Sequence, residues 1–450
     1  MKGSGTHFKD PLKLILTIMV VLSLLGAWLY GKETPGVDYY VAWVAADAVK
    51  HDTPHNIYEP SSRFKLAFEY RNKAEVLDKA PRQNRIARHR QDLPMTATPF
   101  LYWVTGLVAI GDYETDLDIW HAISLLVLTI SVLAMCRLLG YSTASSLALL
   151  LPILVWFSPQ LSDLRVGNVN SIQLGMIALI IWLQTRGPDI RYLFATGLIT
   201  GLMVMFKPNL APVALLLAGG WVVRQQYSKL GVTLSGMAAG GIAAVVVSSW
   251  WLGNATAWID WFNTISQTIS GFGNSEKSHA LIKSIFGPTG MSGQLGMALF
   301  LCFLCLVFLW WGRRDKPGQS DRKPDENRDK FENIVLVAMG CLVMLLASAL
   351  VWPHYYLLTI PMFIVVLRPW QEAGSMKILP VLMMRVLPAV ALLSMLDSPV
   401  LTLLDAGGRA YWNVATTSSA LILYFIGLWQ FGFRLRNQQD QKVAAAPAVH

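Results

Sequence analysis

Long apolar runs alternate with short polar breaks along almost the whole chain. They fall at 13–30, 118–137, 143–158, 169–185, 191–206, 210–224, 230–250, 294–312, 333–351, 355–369, 377–397 and 410–433. A helix crossing the hydrocarbon needs about 20 apolar residues. The pattern therefore predicts about twelve transmembrane helices, several shortened or broken by Pro and Gly. The exception to the rhythm is the polar stretch 31–117 between the first two runs. Within it, 38–49 has the period of a short amphipathic helix, with Tyr40, Trp43, Val44 and Ala48 on one face. Residues 98–111 form an apolar run too short for an ordinary span, expected to lie in the outer interface or dip into it. The expected fold class is an all-α polytopic membrane protein, one domain over 1–450. It would have a long first outer loop, a flexible charged linker at 313–332 and a disordered tail at 437–450.

Composition agrees. The 450 residues are 54% hydrophobic and 14% charged, against about 25% charged in soluble domains. The net charge of +9 does not point to nucleic acid, because the basic residues sit mostly in short connections and at the termini. There they set orientation, since short cytoplasmic loops carry the Lys and Arg. Lys2, Lys9, Lys13, Arg137, Arg186, Arg191, Arg224, Lys229, Arg313 to Lys330, Arg368, Lys377, Arg434 and Arg436 all fall on one side of a twelve-span chain. That side is the cytoplasm, with both termini inside, as in a bacterial-type inner membrane. The outward segments are then 31–117, 159–168, 207–209, 251–293, 352–354 and 398–409. The run Leu14 to Tyr30 reads as an anchor rather than a cleaved signal. Cys136, Cys302, Cys305 and Cys341 lie in apolar runs and are expected to pack rather than to bind metal.

The polar groups able to do chemistry gather on the outward side. Asp38, followed by Tyr39 and Tyr40, comes just after the first span; it is either a helix cap or a base for a sugar hydroxyl. The two tyrosines and Trp43 read equally as interfacial anchors. Arg63, Lys65, Arg71, Lys73, Arg82, Arg85, Arg88 and Arg90 make the first loop basic, suited to an anionic headgroup or to a solvated face partnered by Glu69, Glu75 and Asp78. Asp163, Arg165, Asn168 and Asn170 sit in one outer turn, with either asparagine placed to cap the next helix and Gln173 one turn on. Lys207 stands in a short outer turn where the charge bias disfavours it, which suits a phosphate contact or a snorkelling side chain. His354 and Tyr355 open the other short outer turn, with His354 available for a phosphate or a proton.

Together these motifs resemble one family. They are Asp38-Tyr39-Tyr40 with Asn56-Ile57-Tyr58, Thr98-Pro99-Phe100-Leu101, and Gly167-Asn168-Val169-Asn170. Gly197 to Lys207-Pro208 and Trp352-Pro353-His354-Tyr355-Tyr356 complete the set. In order and sidedness they are similar to the GT-C class of polytopic glycosyltransferases, in particular glycosyltransferase family 87, over about residues 10 to 370. The resemblance implies a GT-C fold and a polyprenyl-phosphate sugar donor, mannose foremost. It also implies transfer with inversion to a glycan or glycolipid acceptor on the outer face. Asp38 would be the base, and Lys207 and His354 would lie at the donor phosphate as cationic groups, with help expected from Arg165 or from an Arg of the first loop. Tyr39, Tyr40, Asp163, Asn168, Asn170 and Tyr355 would line the substrate site. No cofactor is expected, and a divalent metal stays open. The chain departs from the family in having Gly-Asn-Val-Asn where Gly-Gln-Val-Asn is frequent, and in a longer, more basic 63–97. The rivals are a lipid-linked saccharide transporter or flippase, a glycan ligase, and a non-catalytic envelope-assembly protein. A transporter would place charges at mid-membrane, and a ligase would carry its large outer loop late in the chain.

Overall fold

The computed structural model describes residues 11–51, 56–77, 80–90, 92–272, 278–281, 301–302, 304–307, 326–348, 350–368, 378–396 and 416–429. Among these the chain is helical and contains no strand beyond an isolated bridge between Phe157 and Leu396. The first helices are α1 (Pro11–Lys32), α2 (Val37–Lys50), α3 (Pro60–Val76), α4 (Pro81–His89), α5 (Pro99–Gly106) and α6 (Tyr113–Leu138). Next come α7 (Thr143–Val155), α8 (Ser158–Val166), α9 (Asn170–Thr185), α10 (Ile190–Phe206), a 3-10 turn (Pro208–Leu210), α11 (Ala211–Val223), α12 (Tyr227–Trp251) and α13 (Ala257–Phe272). After α14 (Glu326–Ala347), a second 3-10 turn (Pro353–Thr359) leads into α15 (Ile360–Val366) and α16 (Ile378–Ser394), and α17 (Thr416–Trp429) closes the described chain.

Among the described residues four helices, α1, α6, α12 and the Asp329–Ala347 part of α14, are long and apolar enough to cross a membrane. Shorter apolar helices occupy the other predicted runs whose residues are described. The run 294–312 lies largely outside the described residues, as do the tail 437–450 and the linker up to residue 325. The last part of that linker is helical instead, because Glu326 to Lys330 form the first turns of α14. Exposure separates the roles of these helices. Ile334 to Ala347 of α14 are buried without a break, so this helix is the centre of the bundle. On α1 only Val20, Ala27 and Gly31 are buried, and Leu14, Ile18, Leu22, Leu25 and Leu29 are about half exposed. An apolar face that wide needs a lipid-like neighbour. The close pair α10 and α12 meet through Gly197, Gly201, Gly236 and Gly240, each set against backbone of the opposite helix, the small-residue contact that lets two helices approach.

The stretch 31–117 is a helical cap rather than a loose loop. α2 is not amphipathic: Tyr39 through Ala46 are all buried. The expected surface anchors Tyr39, Tyr40 and Trp43 pack inward instead, because α6 supplies aromatic partners. Tyr39 stacks on Trp120 at 5.3 Å, Tyr40 meets Tyr113 edge-on at 5.4 Å, and Trp43 donates Nε1 to Asp116 at 2.9 Å. Edge-to-face and offset pairs of this kind add about 0.5–1.5 kcal/mol each beyond the area they bury. α5 spans eight residues, roughly 12 Å of rise, which is too short to cross. It is capped by Thr98, whose hydroxyl accepts from Leu101 N at 3.1 Å and donates to the Phe206 carbonyl at 3.0 Å. The basic residues divide. Lys73 and Arg71 pair along α3 with Glu69 and Glu75, whereas Arg82 is buried and pins α4 to α6 through Glu114 and Asp118.

Candidate active site

The turn between α1 and α2 passes through Gly36 at φ 62°, and its carbonyl accepts from the Tyr113 hydroxyl at 3.1 Å. That geometry puts Asp38 in the first turn of α2, where unpaired backbone N–H groups favour a carboxylate. Asp38 is not the cap; Gly36 holds that position. A second turn docks against the first. α8 ends at Gly167 in the left-handed region at φ 64°, and a Cβ there would run into the Cβ of Tyr39. The contact delivers the next residue, Asn168, whose Nδ2 donates to Asp38 Oδ2 at 2.6 Å. Gly167→Ala is therefore expected to cost about 1–3 kcal/mol of stability and to lower activity with it. Thermal unfolding and transfer rate, measured on the same preparation, check this.

Pro208 forbids continuation of α10, since the residue before proline is driven to extended backbone. Lys207 takes that role at φ −153° and ψ 101°. Its Nζ donates to Asn168 Oδ1 at 3.2 Å and Asn170 Oδ1 at 3.3 Å, and stands 4.1 Å above the centre of the Tyr355 ring. His354 belongs to the 3-10 turn that begins at Pro353. Its buried Nε2 has no hydrogen-bond partner and lies 3.9 Å from Asp38 Oδ2. Asp38, Asn168, Lys207 and His354 thus come from four separate segments and form one continuous set of contacts. Asp38 lies deep within the protein, yet 41% of its side-chain surface is open. An open carboxylate in so enclosed a position lines a cleft.

Burial sets the electrostatics. It raises the Asp38 carboxyl above the usual carboxylate range, and the Asn168 hydrogen bond, Lys207 and Arg90 only partly offset it. Burial lowers Lys207 to about 8 against the pull of Asp38 and Asp163. It drives His354 well below the usual imidazole range, aided by the nearby charges of Lys207 and Arg165. His354 is therefore neutral near pH 7, which corrects the expectation of a second cation. It can take part only through its ring nitrogens.

The remaining candidates divide by exposure. Tyr39 and Tyr40 are packed away at 1% exposure each and support α2 rather than a substrate. Asp163 is enclosed and accepts from Asn170 Nδ2 at 2.8 Å and Ser171 Oγ at 2.9 Å, with burial raising it to about 6. It holds the start of α9, and Asn170 in turn orients Lys207. Neither Asn168 nor Asn170 caps α9 through its side chain; Val169 is the cap residue. Arg165 is exposed at the end of α8. Two neighbours were not singled out from the sequence. His279 donates its backbone N–H to the Val351 carbonyl at 2.7 Å, just before the His354 turn. Gln160 on α8 is fully buried with neither amide atom partnered. No local pattern marks either one. Among the described residues no three His, Cys, Asp or Glu side chains gather as metal ligands.

Residues 96–348, more than half of the chain, match the model of glycosyltransferase family 87. The matched stretch contains Asp163, Arg165, Asn168, Asn170 and Lys207, and leaves Asp38 and His354 on either side of it. No curated protein and no solved structure matches the chain.

Proposed function

The chain belongs to glycosyltransferase family 87, and from that premise we propose that it transfers a hexose, mannose foremost, from a polyprenyl-phosphate donor to an envelope glycan or glycolipid at the outer membrane face. The proposed architecture is a GT-C fold of about twelve spans with both termini in the cytoplasm. The observation that carries the reading is the open Asp38 carboxylate held deep in the protein beside His354 and, through Asn168, beside Lys207. A donor phosphate near Lys207 Nζ would put its anomeric carbon within the same cleft. Asp38 takes the proton of the acceptor hydroxyl. The oxygen attacks the anomeric carbon from the face opposite the phosphate, the carbon–phosphate-oxygen bond breaks, and lipid phosphate leaves with the electron pair. Lys207 meets the charge that grows on that oxygen. The raised Asp38 suits the base role, since basicity closer to the working pH favours proton abstraction. Neutral His354, whose unpartnered Nε2 lies 3.9 Å from Asp38 Oδ2, would hydrogen-bond the bound sugar.

The test is transfer in vitro from a panel of polyprenyl-phosphate monosaccharides, with analysis of the product linkage. Transfer from one such donor, giving the anomer opposite to the donor's, is the expected result. Retention of configuration, or turnover only with a nucleotide sugar, overturns the reading.

The rate should also trace a bell against pH. Below the raised Asp38 range the base is protonated and transfer falls. As pH rises through about 8, Lys207 loses its proton and the phosphate anchor with it. Both limbs describe the coupled site rather than either residue alone. Initial rates across pH 4 to 10 check this, and a rate still rising at pH 10 contradicts the role of Lys207.

A further inference from the structure

A cavity of about 390 Å³ opens beside the α1–α2 turn, lined by Pro35, Val37, Arg85, Ile86, His89 and Arg90. None of these is acidic, three carry basic side chains, and the other three are apolar. Val37 adjoins Asp38 in the chain, and the charge of Arg90 reaches the Asp38 carboxylate, so the cavity is a neighbour of the cleft. The charges on α4 are not spent alike. Arg82 is held by two carboxylates, whereas the side chain of Arg85 donates to the backbone carbonyl of Glu33, at 2.8 Å, and has no ion pair among the described residues. The Arg90 side chain has no ion pair among the described residues. The Arg82 anchor fixes α4 on α6, so Arg85 on α4 and Arg90 just after it are presented from a docked segment, neither paired with a carboxylate among the described residues. Through the Glu33 carbonyl, Arg85 touches the chain just beyond the end of α1.

We propose that this cavity binds the phosphate of an anionic amphiphile, with Arg85 and Arg90 on the phosphate and Pro35, Val37 and Ile86 against the adjoining apolar part. The assignment rests on the transferase reading, within which this amphiphile is the acceptor arriving beside Asp38. Guanidinium groups favour phosphate because their donors match two oxygens at once. A mixed cationic and apolar lining favours a lipid over a free polar anion.

The test is binding to the full-length protein in dodecyl maltoside, with three probes: dihexanoyl phosphatidylglycerol, dihexanoyl phosphatidylcholine and inorganic phosphate. Saturable binding of phosphatidylglycerol is expected, at least about tenfold tighter than phosphatidylcholine. The double variant Arg85→Ala, Arg90→Ala should weaken it at least about tenfold, the scale of one lost charge-assisted hydrogen bond. Both side chains lie outside the Arg82 anchor, so folding should survive; an unchanged melting temperature checks that. Inorganic phosphate binding as tightly as the lipid, and equally lost in the double variant, would keep the anion site and reject the lipid. Equal binding by wild type and double variant, or of the two lipids, overturns the proposal. Asp38→Asn should bind phosphatidylglycerol like wild type. A failed base assignment would therefore show as retained transfer by that variant, without touching this result.

Discussion

Asp38→Asn is expected to lower sugar transfer by about 10²- to 10⁴-fold, the usual contribution of a positioned general base, while leaving the protein folded in the membrane. The substitution is nearly isosteric. An asparagine oxygen can still accept the Asn168 amide that now donates at 2.6 Å, so the contact between the α2 and α9 turns survives. Only the proton-accepting charge goes. Because the carboxylate is already disfavoured by burial, its removal should not lower the melting temperature. Transfer from the preferred polyprenyl-phosphate sugar, normalised to folded protein, is the measurement. Activity within a few-fold of wild type would remove Asp38 from the chemistry.

Lys207→Met is expected to reduce turnover by about 10²- to 10³-fold, comparable to losing one preorganised donor at a developing negative charge. Methionine keeps the length and apolar stem of the side chain, so it can still lie over the Tyr355 ring. It removes the ammonium that donates to Asn168 and Asn170 and a charge that faces both Asp38 and Asp163. Lysine is held there against a burial cost, as its lowering to about 8 records. The variant should therefore melt no lower than wild type even as it loses activity, a combination expected of a functional rather than a structural residue. The alkaline limb of the pH profile should vanish with it. A variant that keeps its turnover would place the phosphate elsewhere.

How far the site could be read in advance depended on the residue. Lys207 stood out because a lysine in a short turn expected on the outer side opposes the charge bias read along the rest of the chain. Asp38 stood out because it follows a span directly. Asn168 and Asn170 read in the sequence as helix caps or as substrate-site residues; their side chains contact Asp38 and Lys207, and cap propensity is local, whereas these partners lie 130 and 37 positions away. Tyr39 and Tyr40 were misplaced for a related reason. An aromatic pair after a membrane span suits the lipid surface as well as a protein core, and only the aromatic face of α6 decides between them. The protonation of His354 could not be read at all, because it depends on enclosure and on neighbouring charge.

From the order of its residues alone, the chain declared a membrane-type helical protein, the positions of the apolar helices among its described residues, and the unusual polar groups that stand between them. Those properties depend on hydropathy and period, which act over one helix at a time. Tertiary structure alone decided that 31–117 folds as a packed helical cap, that Arg82 is a buried anchor while Arg85 and Arg90 face a cavity, and that Lys207 is the charged partner and His354 the neutral one. Each of these depends on which distant segments exclude water from a group, and sequence distance carries no record of that exclusion.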